Sequence, residues 1–391
     1  MPPRSYSSKG NMMNRMRLFT PGPTSVPEEV LLEMAKPIFH HRTAEYRELF
    51  ANCTKMLQQL FQTSNPVVTL AGSGTAAYEC AMINTIPSGG KVLALSNGKF
   101  AERWVTIAKR NKCQVTELKA DYGQAVSPDQ VAEVLSKDTY DAVTMCHSET
   151  STCTVQDLKA IAAHVRKTPA ILIVDGITSV GAIDVQADEW GVDILVTGSQ
   201  KALMLPPGLA FLSVSEKARK KVQTITQPNL YLSLPHYLQS LADNDVPWTP
   251  AVSLVRGLNV ALNMILGRGL AHVFKSTHAY ASATRSAATA LGLKVFSSSP
   301  VDSVTGINYP EGINDKEFRT ALRKKFNVHI AAGQGSMEGK IFRISHMGYV
   351  DAYDTLGVIS ALETALRQQG YRFTFGAGVA AAHKELADQL G

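Results

Sequence analysis

The sequence predicts an α/β protein: a large domain on a mostly parallel sheet, followed by a smaller α+β domain at the C-terminal end. Three observations carry this. Between Val67 and Val214, short apolar runs alternate with amphipathic segments, which is the rhythm of βαβ units. Runs such as Ala170–Val174 and Ile194–Thr197 are apolar throughout, as in strands covered by helices on both faces. Beyond Pro250 the alternation stops, and a long helical region precedes short strands and helices that are segregated from one another.

The elements follow in order. Thr20–Thr24 is a rigid turn, and Ser25 stands where it can cap a helix over Val26–Ala35, with Pro27, Glu28 and Glu29 in its first turn. A helix over Ala44–Gln62 presents Tyr46, Leu49, Phe50, Met56, Leu57, Leu60 and Phe61 on one face. Strand–helix pairs then run Val67–Leu70 with Thr75–Asn84, Lys91–Ser96 with Phe100–Arg110, Gln114–Leu118 with Pro128–Leu135, and Ala142–Cys146 with Leu158–Arg166. Strands Ala170–Val174, Ile194–Thr197 and Leu209–Val214 complete the large domain before a loop over 227–250. The helical region Ser253–Leu291 breaks near Gly267 and Gly269. Short strands are expected at Lys294–Phe296, Thr305–Tyr309, His329–Ala331 and Lys340–Ser345, with helices at Asp315–Phe326 and Tyr353–Gln369. The domain plan is thus a leader over 1–17, an arm and large domain over 18–250, and a small domain over 251–391.

A chain of 391 residues with 45% hydrophobic and 18% charged residues is ordinary globular composition. The formal charge of +6 is scattered over helix faces such as Lys217–Lys221, which gives no case for nucleic acid. The five cysteines form no C-x-x-C pair, so a reducing, cytoplasmic setting without a metal site is expected. No apolar run reaches the length of a membrane span. The basic, acid-free segment before Glu28 reads as a disordered leader, with a transit peptide as the other reading.

Three positions carry chemistry. Gly72-Ser73-Gly74-Thr75 joins a strand to a helix, where glycines admit a ligand and the helix N-terminus suits a phosphate. A dinucleotide site would need an acid about 20 residues on, at the next strand end, and Asn97 stands there instead. Asp175 ends an apolar strand, and a buried carboxylate needs a partner; a pyridinium nitrogen would serve, and so would a helix or turn amide. Lys201 follows the strand Ile194–Thr197, where burial lowers an amine's pKa and makes it a nucleophile toward carbonyls. Taken alone, it could equally be a surface lysine.

Phosphate turn, strand-end Asp and strand-end Lys in this order resemble the class V aminotransferases, most closely the alanine/serine–glyoxylate (serine–pyruvate) aminotransferase group. The likeness runs from about Phe19 to Gln369 through FTPGPTSVP, AGSGTAAYE, LSNGKFAERW, HSETSTC, LIVDGITSVGA, DILVTGSQKALMLPPG and KIFRISHMG. It implies a fold-type I transferase dependent on pyridoxal 5′-phosphate (PLP). Lys201 would carry the cofactor and shuttle the substrate's α-proton, and Asp175 would pair with the pyridine nitrogen. Ser73, Gly74, Thr75 and Gln200 would hold the phosphate. Thr150 would lie near the ring hydroxyl, and Thr249 would reach the phosphate from a second subunit, which implies a homodimer with shared sites. Phe100 stands where some members of the group carry a stacking tryptophan.

Arg343, inward on an apolar strand, matches the group's substrate-carboxylate arginine, and a guanidinium binds a carboxylate bidentately. The backbone around Gly22 would help close the site over the substrate. His147 is either a cofactor contact or a satisfied histidine at a strand end. Arg42 is a conceivable second anion site, which would admit dicarboxylic substrates. The expected activity is amino-group transfer from alanine or serine to glyoxylate or pyruvate. Its rivals are an aspartate- or glutamate-using aminotransferase of this fold and an accessory subunit without transaminase activity.

Overall fold

A computed structural model describes residues 15–226 and 229–391. Most of the expected leader lies outside these residues. Seven strands form the large sheet, in the order Val67–Gly72, Gly208–Val214, Ile194–Gly198, Ile171–Asp175, Ala142–Cys146, Lys91–Ser96 and Gln114–Lys119. Only Gly208–Val214 runs antiparallel to its neighbours.

The pleat sorts each apolar strand between two cores. Val143, Met145, Leu172, Val174 and Leu195 pack into one cluster, while Ala142, Cys146, Ile171, Ile173, Ile194 and Val196 pack into the other. Side chains alternate in this way because successive residues of a strand point to opposite faces. Asp175 keeps the parity of Ile171 and Ile173, and it is in register with Cys146 on one side and Val196 on the other. Helices Gly74–Thr85 and Lys99–Arg110 cover that face, joined by Tyr78 stacked on Trp104 at 4.3 Å. Asp175 therefore sits at a strand's C-terminal end beneath two helix N-termini, the crevice where open α/β sheets take ligands.

A second sheet of four strands orders Arg17–Phe19, Val328–Ala332, Ile341–Ser345 and Val304–Asn308, with Phe19, Phe318 and Phe342 in its core. The arm strand Arg17–Phe19 thus pairs with the C-terminal part of the chain rather than with the large sheet. In the helical region, Gly269 takes φ +79° between Val252–Arg268 and Leu270–Ala290. The first of these helices packs Val255, Leu258, Leu262 and Ile265 into the large sheet's core.

Four local expectations change. The first helix spans Glu28–Met34, with Pro27 at its N-cap and no side-chain cap, so Ser25 does not serve. The expected loop over 227–250 contains helix Leu234–Ala242, ordered by burial of Leu234 and Tyr237. Lys294–Phe296 is reduced to a single bridge between Val295 and Ile307. Helix Ala377–Leu390 was not expected, because its inward face is built from small residues. Gly378, Ala382 and Leu386 pack near Ala279, Ala283 and Ala287 of Leu270–Ala290, so close backbone approach replaces a bulky apolar stripe. No helix among the described residues is long and apolar enough to cross a membrane.

Candidate active site

Lys201 lies just past Gly198 in the tight turn that follows strand Ile194–Gly198, and its amine is folded under the N-terminal arm. Nζ donates to the carbonyl of Pro21. Thr24 ties the arm to the lysine turn, its Oγ1 donating to the Lys201 carbonyl at 2.8 Å and its N–H to that of Gln200 at 3.2 Å. A Cβ at Gly22 would lie 2.3 Å from Nζ, and Gly22 has φ +142°, so this close roof admits only glycine. Burial brings the amine down to about 8, opposed by the Asp175 charge and assisted by Arg343 and Arg103.

Asp175 is fully buried, and burial raises its carboxyl to about 7, opposed by the Ile177 amide and by Lys201. Oδ1 accepts from Ile177 N at 2.8 Å, and Oδ2 accepts from the Cys146 thiol at 3.1 Å. Cys146 faces two carboxylates: burial raises its thiol, and the charge of Glu149 adds to that.

The turn after Cys146 folds into a two-strand hairpin, Ser148–Glu149 with Thr154–Val155. Glu149 is buried and accepts from Phe100 N at 3.1 Å and Ala101 N at 2.8 Å, closing the N-terminus of helix Lys99–Arg110. Its other oxygen takes the Ser151 amide and hydroxyl. Gly98 makes room for it, since a Cβ there would lie 2.4 Å from Glu149 Cγ. Thr150 is also buried. Its Oγ1 shares a hydrogen bond with Thr178 Oγ1 at 3.0 Å, and its carbonyl accepts from Arg343 Nη1 at 2.8 Å. Arg343 Nε donates to the Ala332 carbonyl at 2.8 Å, so two carbonyls hold the buried guanidinium against the turn. Burial lowers its pKa.

At the phosphate turn, helix Gly74–Thr85 begins after Ser73 with no side-chain cap, so its first N–H groups face outward. Gly74 is also a packing glycine: a Cβ would lie 2.3 Å from Ile177 Cδ1, on the segment that holds Asp175. A Cβ on Gly198 would have both Gln200 Oε1 and the Gly74 amide within 4 Å. Arg103, which sequence reading passed over, donates from Nη1 to Thr75 Oγ1 at 2.9 Å and lies over the Phe100 ring at 5.1 Å. Phe100 itself is half-buried at the edge of the core.

The fold thus brings Gly22, Ser73–Thr75, Phe100, Thr150, Asp175, Gln200, Lys201 and Arg343 to one crevice. Thr249 is exposed on the rim of an apolar groove with Ile38, Phe39, His40, His41 and Leu254, and it also lines a hollow with Thr69 and Ala71, just before the phosphate turn. Arg42 pairs with Asp245 at 2.9 Å, and Arg47 lies 3.7 Å from the same oxygen. His147 points to the opposite face of the sheet, edge-on to Trp190, and burial lowers it to about 4.

These residues suit a pyridoxal phosphate. The N-terminus of helix Gly74–Thr85 is uncapped, so its free N–H groups give a phosphate donors to meet, and the Gln200 side chain, turned to present Nε2, would add another. Asp175 is a buried carboxylate whose proton affinity is raised, and a ring N–H beside it would relieve that. Lys201 supplies an amine that is partly neutral near pH 8.

Comparison with known proteins agrees. The aminotransferase class-V family model matches residues 17–354. A Synechococcus sp. (strain PCC 6716) protein named soluble hydrogenase, small subunit, is 40% identical over 96% of this chain and 100% of its own. The L-aspartate–glyoxylate aminotransferase of Paracoccus denitrificans is 36% identical over 95% of this chain and 96% of its own. The serine–glyoxylate aminotransferase of Hyphomicrobium methylovorum is 34% identical over 93% of each. The crystal structure of pyridoxamine–pyruvate aminotransferase from Mesorhizobium loti superposes with a TM-score of 0.92 at 29% identity, covering 97% of this chain and 99% of that one. With a matching family model, relatives aligned almost end to end and a strand-end lysine facing a strand-end aspartate, the chain belongs to the class V aminotransferases, fold-type I transaminases that depend on PLP.

Proposed function

We propose that this transaminase moves the amino group of a small amino acid, alanine or serine, to a keto acid such as glyoxylate or pyruvate. The observation that carries the reading is the Lys201 amine. It is buried, lowered to about 8, within the field of Asp175, and roofed by the Pro21 carbonyl and Gly22. Lys201 holds the cofactor and, once released, takes the substrate's α-proton at Nζ. The bound cofactor supplies an electron sink for the pair that this proton leaves behind. Asp175 would keep the pyridine nitrogen protonated, Thr150 would meet the ring hydroxyl, and Phe100 would offer its ring for stacking. Ser73, Gly74, Thr75 and Gln200 receive the phosphate. Arg343 is already oriented by two carbonyls and takes the substrate carboxylate, while the arm about Gly22 keeps water from the amine.

A roof one glycine thick over Nζ favours small side chains. The serine–glyoxylate relative supports the same choice. Aspartate as donor is the second reading, favoured by the aspartate–glyoxylate relative. Thr249, exposed beside an apolar groove, is assigned to the partner's phosphate in a homodimer. Five cysteines free of disulfides support a reducing, cytoplasmic location.

The test is spectroscopic first. Purified protein given PLP should develop the visible-edge absorbance of lysine-bound cofactor, and that band should bleach with an amino donor. A panel of alanine, serine, aspartate and glutamate against glyoxylate, pyruvate and 2-oxoglutarate then ranks the substrates. Lys201→Ala should lose the band and about a thousandfold or more in rate. Absence of the band in the wild type would sink the transaminase reading and leave the accessory-subunit one.

A further inference from the structure

We propose that Arg103 is a further phosphate-binding residue of the cofactor site, clamping the phosphate against the first turn of helix Gly74–Thr85. The inference rests on the reading of this crevice as the PLP site.

The argument begins with charge. A phosphate monoester carries close to two negative charges near neutral pH. The cradle read from the sequence opposes it with a helix N-terminus, worth about half a positive charge, and with neutral groups on Ser73, Thr75 and Gln200. That leaves more than one negative charge for another cation to meet.

Arg103 is the cation that the fold delivers to this point. Helix Lys99–Arg110 buries Ala101, Trp104, Val105 and Ala108, which turns Arg103 outward. The Tyr78–Trp104 stack sets this helix beside Gly74–Thr85, and the outward direction becomes the direction of the phosphate turn. Two contacts hold the guanidinium there. Nη1 donates to Thr75 Oγ1 at 2.9 Å, and the plane lies over Phe100, three residues earlier on the same helix face, at 5.1 Å. One of its five N–H donors is used by Thr75, and the others form a fork suited to phosphate oxygens. The nearby carboxylate of Glu102 is taken by Lys99 and Tyr122, and among the described residues Arg103 has no ion pair. Its charge also helps to depress the Lys201 amine, which places it within electrostatic range of the reacting end.

The competing use of such a cation is the distal carboxylate of a dicarboxylic donor. The contact with Thr75 favours phosphate, because Thr75 itself belongs to the cradle.

Apo wild type, Arg103→Gln and Arg103→Lys, each checked by circular dichroism and melting, should be titrated with PLP and with pyridoxal, which lacks the phosphate. Absorbance of the lysine-bound form gives both affinities. Arg103→Gln should weaken PLP about tenfold or more and change pyridoxal less than about twofold, with Arg103→Lys intermediate. Equal losses for both ligands, or no loss for either, would overturn the assignment. So would unchanged PLP affinity with selective loss of aspartate as donor, which would give the cation to the substrate. A wild type that takes up neither ligand would remove the underlying reading and the assignment with it.

Discussion

Two neighbouring regions beside the large sheet's crevice each bury a carboxylate, and they treat it in opposite ways. The hairpin after Cys146 surrounds Glu149 with donors: two backbone amides of helix Lys99–Arg110, the Ser151 amide and the Ser151 hydroxyl. The end of strand Ile171–Asp175 gives Asp175 one backbone amide and one thiol. Burial raises both groups, and it carries Asp175 to about 7. A carboxylate whose lone pairs are filled by its own chain is a structural cap. One left short of donors in the crevice is reserved for a ligand that brings its own proton.

The largest consequence concerns Asp175→Asn. The amide can still accept from Ile177 N, but it cannot hold a ring nitrogen protonated. Transaminase turnover should fall at least about a hundredfold, with weaker cofactor retention. Stability of the cofactor-free protein should move the other way. Because the folded-state pKa of Asp175 is raised from 3.8 to about 7, the native protein keeps a proton that the unfolded chain has released. The resulting stability is full below the ordinary aspartate range and is lost as pH rises through about 7. The Asn variant lacks that loss, so its melting temperature relative to wild type should rise between pH 5 and 8. A difference that stays flat across this range would contradict the comparison.

Glu149→Gln makes the same chemical change in the other region, where the hydrogen-bond mismatch should outweigh the relief of a carboxyl that burial also raises. Half of the new amide is a donor, facing amides that need an acceptor, so a destabilisation of about 1–3 kcal/mol is expected. The loss should appear in chemical denaturation with and without PLP, and the cofactor's spectral pH dependence should stay put. A variant as stable as wild type would mean that the helix cap is redundant.

The two regions also differ in what the sequence reveals. Asp175 and Lys201 are legible because each follows an apolar strand, and strand ends are where an α/β sheet exposes chemistry. Arg343 is legible because a charge on an apolar strand needs a reason. Glu149 is visible as a residue but not as a cap, since the amides it closes lie 48 and 49 positions away. The same distance problem hides Arg103, whose meaning depends on two helices lying side by side. Cys146 reads as one more apolar strand residue until the sheet order sets it in register with Asp175. Helix Ala377–Leu390 escapes for a different reason: alanines packing on alanines leave little hydrophobic periodicity to find. Arg42 meets the same distance problem, since its ion-pair partner Asp245 lies 203 residues away.

Cys146 offers the finest discrimination between the two carboxylates, because its thiol faces both. A thiol has one hydrogen, and the 3.1 Å contact gives it to Asp175 Oδ2. Burial first, then Glu149, holds the thiol well above its ordinary range, so it remains a donor at every pH at which the enzyme works. Cys146→Ala should therefore leave Asp175 with the Ile177 amide alone, and the Asp175 carboxyl should rise further. The loss of one modest hydrogen bond to a charged group predicts a fall in PLP affinity of only about threefold to tenfold. Cys146→Ser keeps a donor of nearly the same shape and should restore most of it. If alanine and serine behave alike, and the pH dependence of melting in the cofactor-free protein is unmoved in both, the thiol is packing only. The difference between the two carboxylates would then rest on the backbone amides and the Ser151 hydroxyl.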